Sequence, residues 1–197
     1  MTDPKDRFAR AAGVEAREVV DFADLAVDSR HLQLGVVPQT EGPACLAVGS
    51  ASKTPVVLGD ADRAEVLALL DLRGAGFTLA LSSSPIVAPT PPVKAAAPAA
   101  LVRLKQTLGS GEDRHTLVLC SLDADPRVLW TERSRSLTAG RGGFDSFELA
   151  FEGGGGAPLG LAVLQSTVPG RSNASRQPGP PLRLHFAWRE DRYVRRD

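Results

Sequence analysis

The chain has little of what usually carries chemistry. In 197 residues there are two cysteines, three histidines, two tryptophans, one tyrosine and one methionine. Cys45 and Cys120 are too few for a zinc site of their own. They leave two readings: one disulfide in an exported chain, or two buried thiols, since cysteine is among the most buried residue types. Aromatics at 5 per cent leave little surface on which a sugar could stack. No apolar run approaches the ~20 residues that a membrane-spanning helix needs, so no integral membrane segment is expected. The opening MTDPKDRFARAAG has no apolar core of signal-peptide type; TDPKDRF after Met1 reads as a polar mature start. Net charge is missing as well. Twenty-three basic and 23 acidic residues balance to +0, which argues against nucleic acid, whose general binding rests on neutralised phosphates, and against a polybasic membrane-surface binder.

Motifs are equally sparse. There is no G-x-S-x-G elbow and no Rossmann fingerprint. GRGGF at 140–144 lacks the Lys-Ser/Thr ending of a phosphate loop, and GGGG at 153–156 precedes no helix. His31, His115 and His185 are not spaced as metal ligands. His115 and Cys120, five apart on one expected strand, point to opposite faces. Asp123 with Asp125, and Glu148 with Glu152, are the tight acidic pairs near strands; at turns such groups are normally solvated. Ser50 and Ser121 sit where serine satisfies backbone groups at turns. No catalytic residue, metal ligand or cofactor is assigned.

What the chain does have is short apolar runs punctuated by Gly, Pro, Ser and Asp, the pattern of antiparallel β-structure. Arginine is plentiful and lysine scarce, and Ala, Gly, Leu, Val and Pro are heavily used, as in a GC-rich bacterial genome. A short N-terminal helix is expected, capped by Thr2 or Asp3, with Pro4 in its first turn and Gly13 at its end. Residues 60–74, DADRAEVLALLDLRG, also predict a helix, from Asp60 as cap and Gly74 as stop, with a buried strand as the alternative reading. SSSPIVAPTPPVKAAAPAA at 82–100 reads as a semi-rigid linker. VPGRSNASRQPGPP at 168–181 is longer than an ordinary connection. The last residues, PLRLHFAWREDRYVRRD, predict a hairpin turning at Arg189-Glu190-Asp191.

Two stretches are cousins. CLAVGSASKTPVVLGD at 45–60 and TLVLCSLDADPRVLWTE at 116–132 align at an offset of 71, which matches Val48 with Leu119, Ser50 with Ser121, Pro55 with Pro126 and Val57-Leu58 with Val128-Leu129. At an offset of 70, LQL at 32–34 meets VRL at 102–104, and GFTLAL at 76–81 meets SFELAF at 146–151. A partial third echo sets Leu182 and Leu184 against Leu117 and Leu119. Segments recurring in one order suggest a duplicated unit of about four strands that buries its apolar face against its twin.

The expected fold is therefore mainly β: two related antiparallel units, sandwich-like or as packed small β-domains, with one or two short helices. The boundaries are 1–83 for the first unit, 84–100 for the linker and 101–197 for the second unit. A strand-turn-strand ending with Trp188, Arg192 and Tyr193 in a W-x-x-x-R-Y pattern, together with VVDFADLAV at 19–27, resembles units of exported bacterial repeat proteins of the FG-GAP/VCBS type. That resemblance implies a secreted or surface-attached, non-catalytic protein. The family's D-x-D-x-D-G calcium loop is missing, since LDADP at 122–126 keeps two aspartates and no glycine, so no calcium is implied.

The function expected is a non-catalytic structural or protein-binding module of a bacterial envelope or extracellular assembly, periplasmic or secreted. It would work with a protein partner or as a homo-oligomer. The alternatives are an enzyme without a readable motif and a cytoplasmic regulatory domain. Phe186, Trp188, Arg192 and Tyr193 are the interface candidates, because aromatics and arginines anchor interfaces. Phe186 and Trp188, at alternate positions, equally suit a core-facing row.

Overall fold

The structure is a computed structural model and describes residues 3–52, 54–81, 96–109, 113–133, 144–153, 157–168 and 180–196. It opens with helix α1, Pro4–Ala12. Asp3 caps α1 by accepting from Lys5 N at 2.8 Å, and Gly13 ends it in the left-handed conformation. A single 3-10 turn, Ala16–Glu18, leads into β-structure.

Among the described residues, everything else regular is antiparallel strand, in three sheets. The first sheet is the meander β1 (Val20–Val27), β2 (Arg30–Val37), β3 (Ala44–Gly49) and β4 (Val56–Asp60). The middle sheet orders β5 (Arg63–Asp71), β7 (Pro98–Thr107), β8 (Asp113–Ser121) and β9 (Val128–Arg133). The third runs β13 (Arg192–Arg195), β12 (Leu182–Arg189), β11 (Gly160–Val168), β10 (Phe144–Glu152) and β6 (Phe77–Leu81).

The middle sheet is buried on both faces. On β7, Ala99 and Leu101 pack towards the third sheet while Ala100, Val102 and Leu104 pack towards the first. On β8, Leu117 and Leu119 take the first of these directions and Val118 and Cys120 the second. Side chains alternate across a strand, so a strand covered on both sides must be apolar at every position. AALV at 99–102 and LVLC at 117–120 are such runs. The first sheet is covered twice too, because Phe8 and Ala9 of α1 pack against Val37, Leu46 and Val48 on its outer face. Gly35 of β2 makes room there: a Cβ would lie 2.8 Å from the Phe8 ring. The helix is thus part of a core.

Two expectations change. Residues 63–71 are strand β5, not helix. The cause is a bulge between Val66 and Ala68, which puts Leu67 and Ala68 into the same core while Val66 and Leu69 face the first sheet. A bulged strand buried on both sides loses its period-two signal. The described strands lie in three sheets, in which β5 pairs with β7 and β6 with β10 across the expected linker, whose residues 98–100 open β7. The rest of that linker, 84–95, and residues 169–179 of the long loop lie outside the described residues. Finally, GFTLAL and SFELAF do not occupy equivalent places in two sheets. They fall on β6 and β10, hydrogen-bonded neighbours in which Phe77 meets Phe151 and Leu79 meets Leu149.

The other matched segments lie opposite one another. Leu32 and Leu34 share one core with their counterparts Val102 and Leu104. The turn after β3 touches the turn after β8, with Ala51 N donating to Ala124 O at 2.8 Å. Asp21 of β1 adds a second tie, accepting from Arg63 Nε at 2.7 Å and Ala64 N at 2.9 Å.

Candidate functional site

The hairpin β12–β13 turns at Glu190-Asp191, with Arg189 paired to Arg192. Alternation then sorts the four interface candidates. Phe186 and Tyr193 face inwards and are buried. The Phe186 ring meets Trp130 edge-on at 5.9 Å, and Tyr193 meets Phe151 at 6.4 Å and Trp188 at 5.2 Å. These two side chains belong to the core. Trp188 faces the same way but is only half-buried. Arg192, one position out of phase with Tyr193, is exposed on the other face. Burial pushes the Tyr193 hydroxyl above its ordinary pKa. Its oxygen and Trp130 Nε1 are buried without a hydrogen-bond partner among the described residues.

Trp188 also forms one wall of a cleft of about 290 Å³, where strand ends from all three sheets meet. Arg30 at the start of β2, Arg73 after β5, and Ser121, Asp123 and Arg127 around the β8–β9 turn line it with Trp188. Two anchors shape the cleft. Asp71 accepts from the backbone N–H groups of Arg73 at 3.1 Å, Ala97 at 3.0 Å and Ala96 at 3.2 Å. Burial alone would raise the Asp71 pKa; these three donors and the Arg30 charge outweigh it and hold the carboxyl below its usual range. Arg127 is the second anchor. Its guanidinium donates to Asp123 at 3.1 Å and to Asp191 at 2.9 Å, fastening the β8–β9 turn to the last hairpin. Its N–H donates to Ser121 Oγ at 3.1 Å, the turn-satisfying role expected of Ser121. In the corresponding first turn that role falls to Ser52, whose Oγ accepts from Gly49 N at 2.9 Å, and not to Ser50.

Arg127 is outweighed by its two carboxylates, so the cleft's positive charge comes from Arg30 and Arg73, offset by Asp71 and by the surplus carboxylate on Arg127. Guanidinium groups beside an indole wall and apolar flanks from Leu72 and Leu129 suit an acidic group on a partly apolar body. Sequence reasoning found Trp188 and missed all three arginines. They stand far apart in the chain and converge only through the stacking of sheets.

The other chemistry-bearing residues stay dispersed. Cys45 and Cys120 are free thiols buried in the core between the first and middle sheets. Burial pushes each up to about 12, which removes the thiolate that nucleophilic chemistry requires. His115 lies on the opposite face of β8 from Cys120. Burial lowers its pKa, and the Arg103 charge adds to that. His31 and His185 are exposed, and Glu148 and Glu152 are solvated on the outer face of β10. Among the described residues no group of three or more His, Cys, Asp or Glu could hold a metal ion, and no helix is long and apolar enough to cross a membrane. Comparison with protein-family models, curated proteins and solved structures finds no match to this chain.

Proposed function

We propose that the chain is a non-catalytic structural or protein-binding module, working in a bacterial envelope or extracellular assembly, and that its cleft takes an acidic side chain or terminal carboxylate of a protein partner. The observation that carries this reading is the joining of Arg30, Arg73 and the half-buried Trp188 in one cleft at the ends of the sheets. Arginine and tryptophan are the residue types that dominate binding energy at interfaces. The resemblance to FG-GAP/VCBS-type units supports an exported setting. We further infer that the first and middle sheets descend from one duplicated unit, which accounts for matched apolar positions meeting face to face.

The test is capture of partners from separated envelope and cytosol fractions, with the intact protein and with Arg73→Glu and Trp188→Ala variants. A stoichiometric envelope protein held by the intact chain and lost with both variants supports the reading. Recovery of the chain alone, from the cytosol, overturns it. One observation favours a second reading, a cytoplasmic regulatory domain: both cysteines are free thiols, as a reducing compartment would keep them.

A further inference from the structure

Among the described residues, the first and middle sheets are each covered on both faces, whereas the third is covered on one. Its outer face is assembled from the alternate residues of β6, β10, β11, β12 and β13. Register sets these in rows. Ala80, Glu148, Leu164 and Arg183 form one row, and Thr78, Ala150, Ala162 and His185 the next. Ala187 and Val194 lie side by side one step further on. The middle of this surface is small and apolar: Ala150, Ala162, Leu164 and Ala187 are only half-exposed, and Val194 is 38% exposed. Small side chains let a second flat surface approach closely.

The charge on this face is divided by strand. The acids, Glu148 and Glu152, are both on β10. The bases, Arg183, His185, Arg189 and Arg192, are on β12 and β13, and β11 between them is uncharged. We propose that this face binds the same face of a second copy of the chain, about a two-fold axis running along β11. The axis direction follows from the charges. Rotation about an axis parallel to β11 keeps each residue's height and exchanges the two sides of the sheet. It therefore lays β12 of one copy over β10 of the other, with Arg183 opposite Glu148 in the shared row. Leu164 meets Leu164 at the centre, and Glu152 lies between the heights of His185 and Arg189. An axis across the strands would set β10 on β10 and β12 on β12, placing like charges together. Face-to-face packing of antiparallel sheets at about 10 Å is an ordinary arrangement, and a two-fold contact must be self-complementary in this way. Five strands about 4.8 Å apart offer roughly 600 Å² per copy, or about 1,200 Å² for the pair, enough for a specific interface. The surface is separate from the Arg30–Arg73–Trp188 cleft, and the dimer stands or falls independently of a ligand there.

The test is the mass of the intact chain in solution, by sedimentation or light scattering over a range of concentrations, with far-ultraviolet circular dichroism to confirm folding. The wild type is expected at twice its 20.8 kDa chain mass. Leu164→Glu sets two carboxylates together on the axis and is expected to weaken dimerisation at least ~10-fold while leaving the spectrum unchanged. Glu148→Arg and Arg183→Glu should each weaken it, and the double exchange should restore it. Several results would overturn the proposal: a monomer up to the solubility limit, a dimer indifferent to Leu164→Glu, or two weakened single variants with no recovery in the double. An assembly whose absorbance shows bound nucleic acid would likewise overturn it, giving the basic strands to a polyanion.

Discussion

Substituting Gly49 by alanine tests whether the turns of the two cousin hairpins really brace one another. A Cβ at Gly49 would lie 2.5 Å from Ala124 O, 2.7 Å from Pro126 Cδ and 2.8 Å from Asp123 O. Two of these three atoms are backbone, and the third is in a proline ring, so no side chain can swing aside. The turn at 123–126 has to move, and with it the 2.8 Å hydrogen bond from Ala51 N to Ala124 O. Overpacking of this kind costs about 1–3 kcal/mol, and a lost hydrogen bond about 0.5–1.5 kcal/mol. Alanine's lower unfolded-state entropy returns about 0.5–1 kcal/mol. The net loss is about 0.5–4 kcal/mol with a midpoint near 2, and at that midpoint Tm falls by roughly 4–8 °C for a chain of this size. Gly109→Ala serves as the control, because nothing lies within 4 Å of its Cβ position, and it should stay within about 0.5 kcal/mol of the wild type. Thermal unfolding followed by circular dichroism reads both. If Gly49→Ala melts with Gly109→Ala, the turns are not in contact and the stacking of first sheet on middle sheet is wrong at that end.

Three further outcomes follow from the same packing. Leu119→Ala opens a cavity in a fully buried position of the middle sheet and should cost about 2–5 kcal/mol in urea unfolding, whereas Val57→Ala, on a side chain 60% exposed, should change stability by less than about 0.5 kcal/mol. Cys45 and Cys120, with thiols pushed to about 12 by burial, should resist iodoacetamide at pH 8 in the folded protein and take up one label each once unfolded without reductant; rapid labelling of the folded chain would contradict the buried core. Asp71→Asn should destabilise by about 1–2 kcal/mol at neutral pH through weaker bonds to the 96–97 backbone. Because the folded-state pKa of Asp71 is lowered, its contribution is present above the ordinary carboxylate range and lost as pH falls through the folded value. The gap between wild type and variant should therefore close on acidification, and a gap that persisted at acid pH would mean that charge is not what holds this loop.

How much of this was legible in the sequence depends on how many faces an element buries. Helix α1 was readable to its caps, because Asp3, Pro4 and Gly13 act within their own turn. The last hairpin was readable because its turn is local. Strand β5 was not: both of its faces are buried and a bulge shifts its phase, so the apolar residues lose the period that separates strand from helix. The offset between the cousin stretches proved informative for β2 with β7, where matched leucine and valine positions meet in one core. It misled for β6 and β10, where likeness reflects adjacency within one sheet. The hairpin candidates show the same rule at the scale of a site. Alternation alone places Phe186, Trp188 and Tyr193 on one face and Arg192 on the other, but it does not say where the covering sheet stops. It stops short of Trp188, and that leaves the indole at the mouth of a cleft whose arginines come from three different parts of the chain. A site made where layers end is written in the lengths of strands and the order of their stacking, and no local motif records either. The outer face of the third sheet is the converse case, since the division of charge between β10 and β12 can be seen only after register has set Glu148, Leu164 and Arg183 in one row.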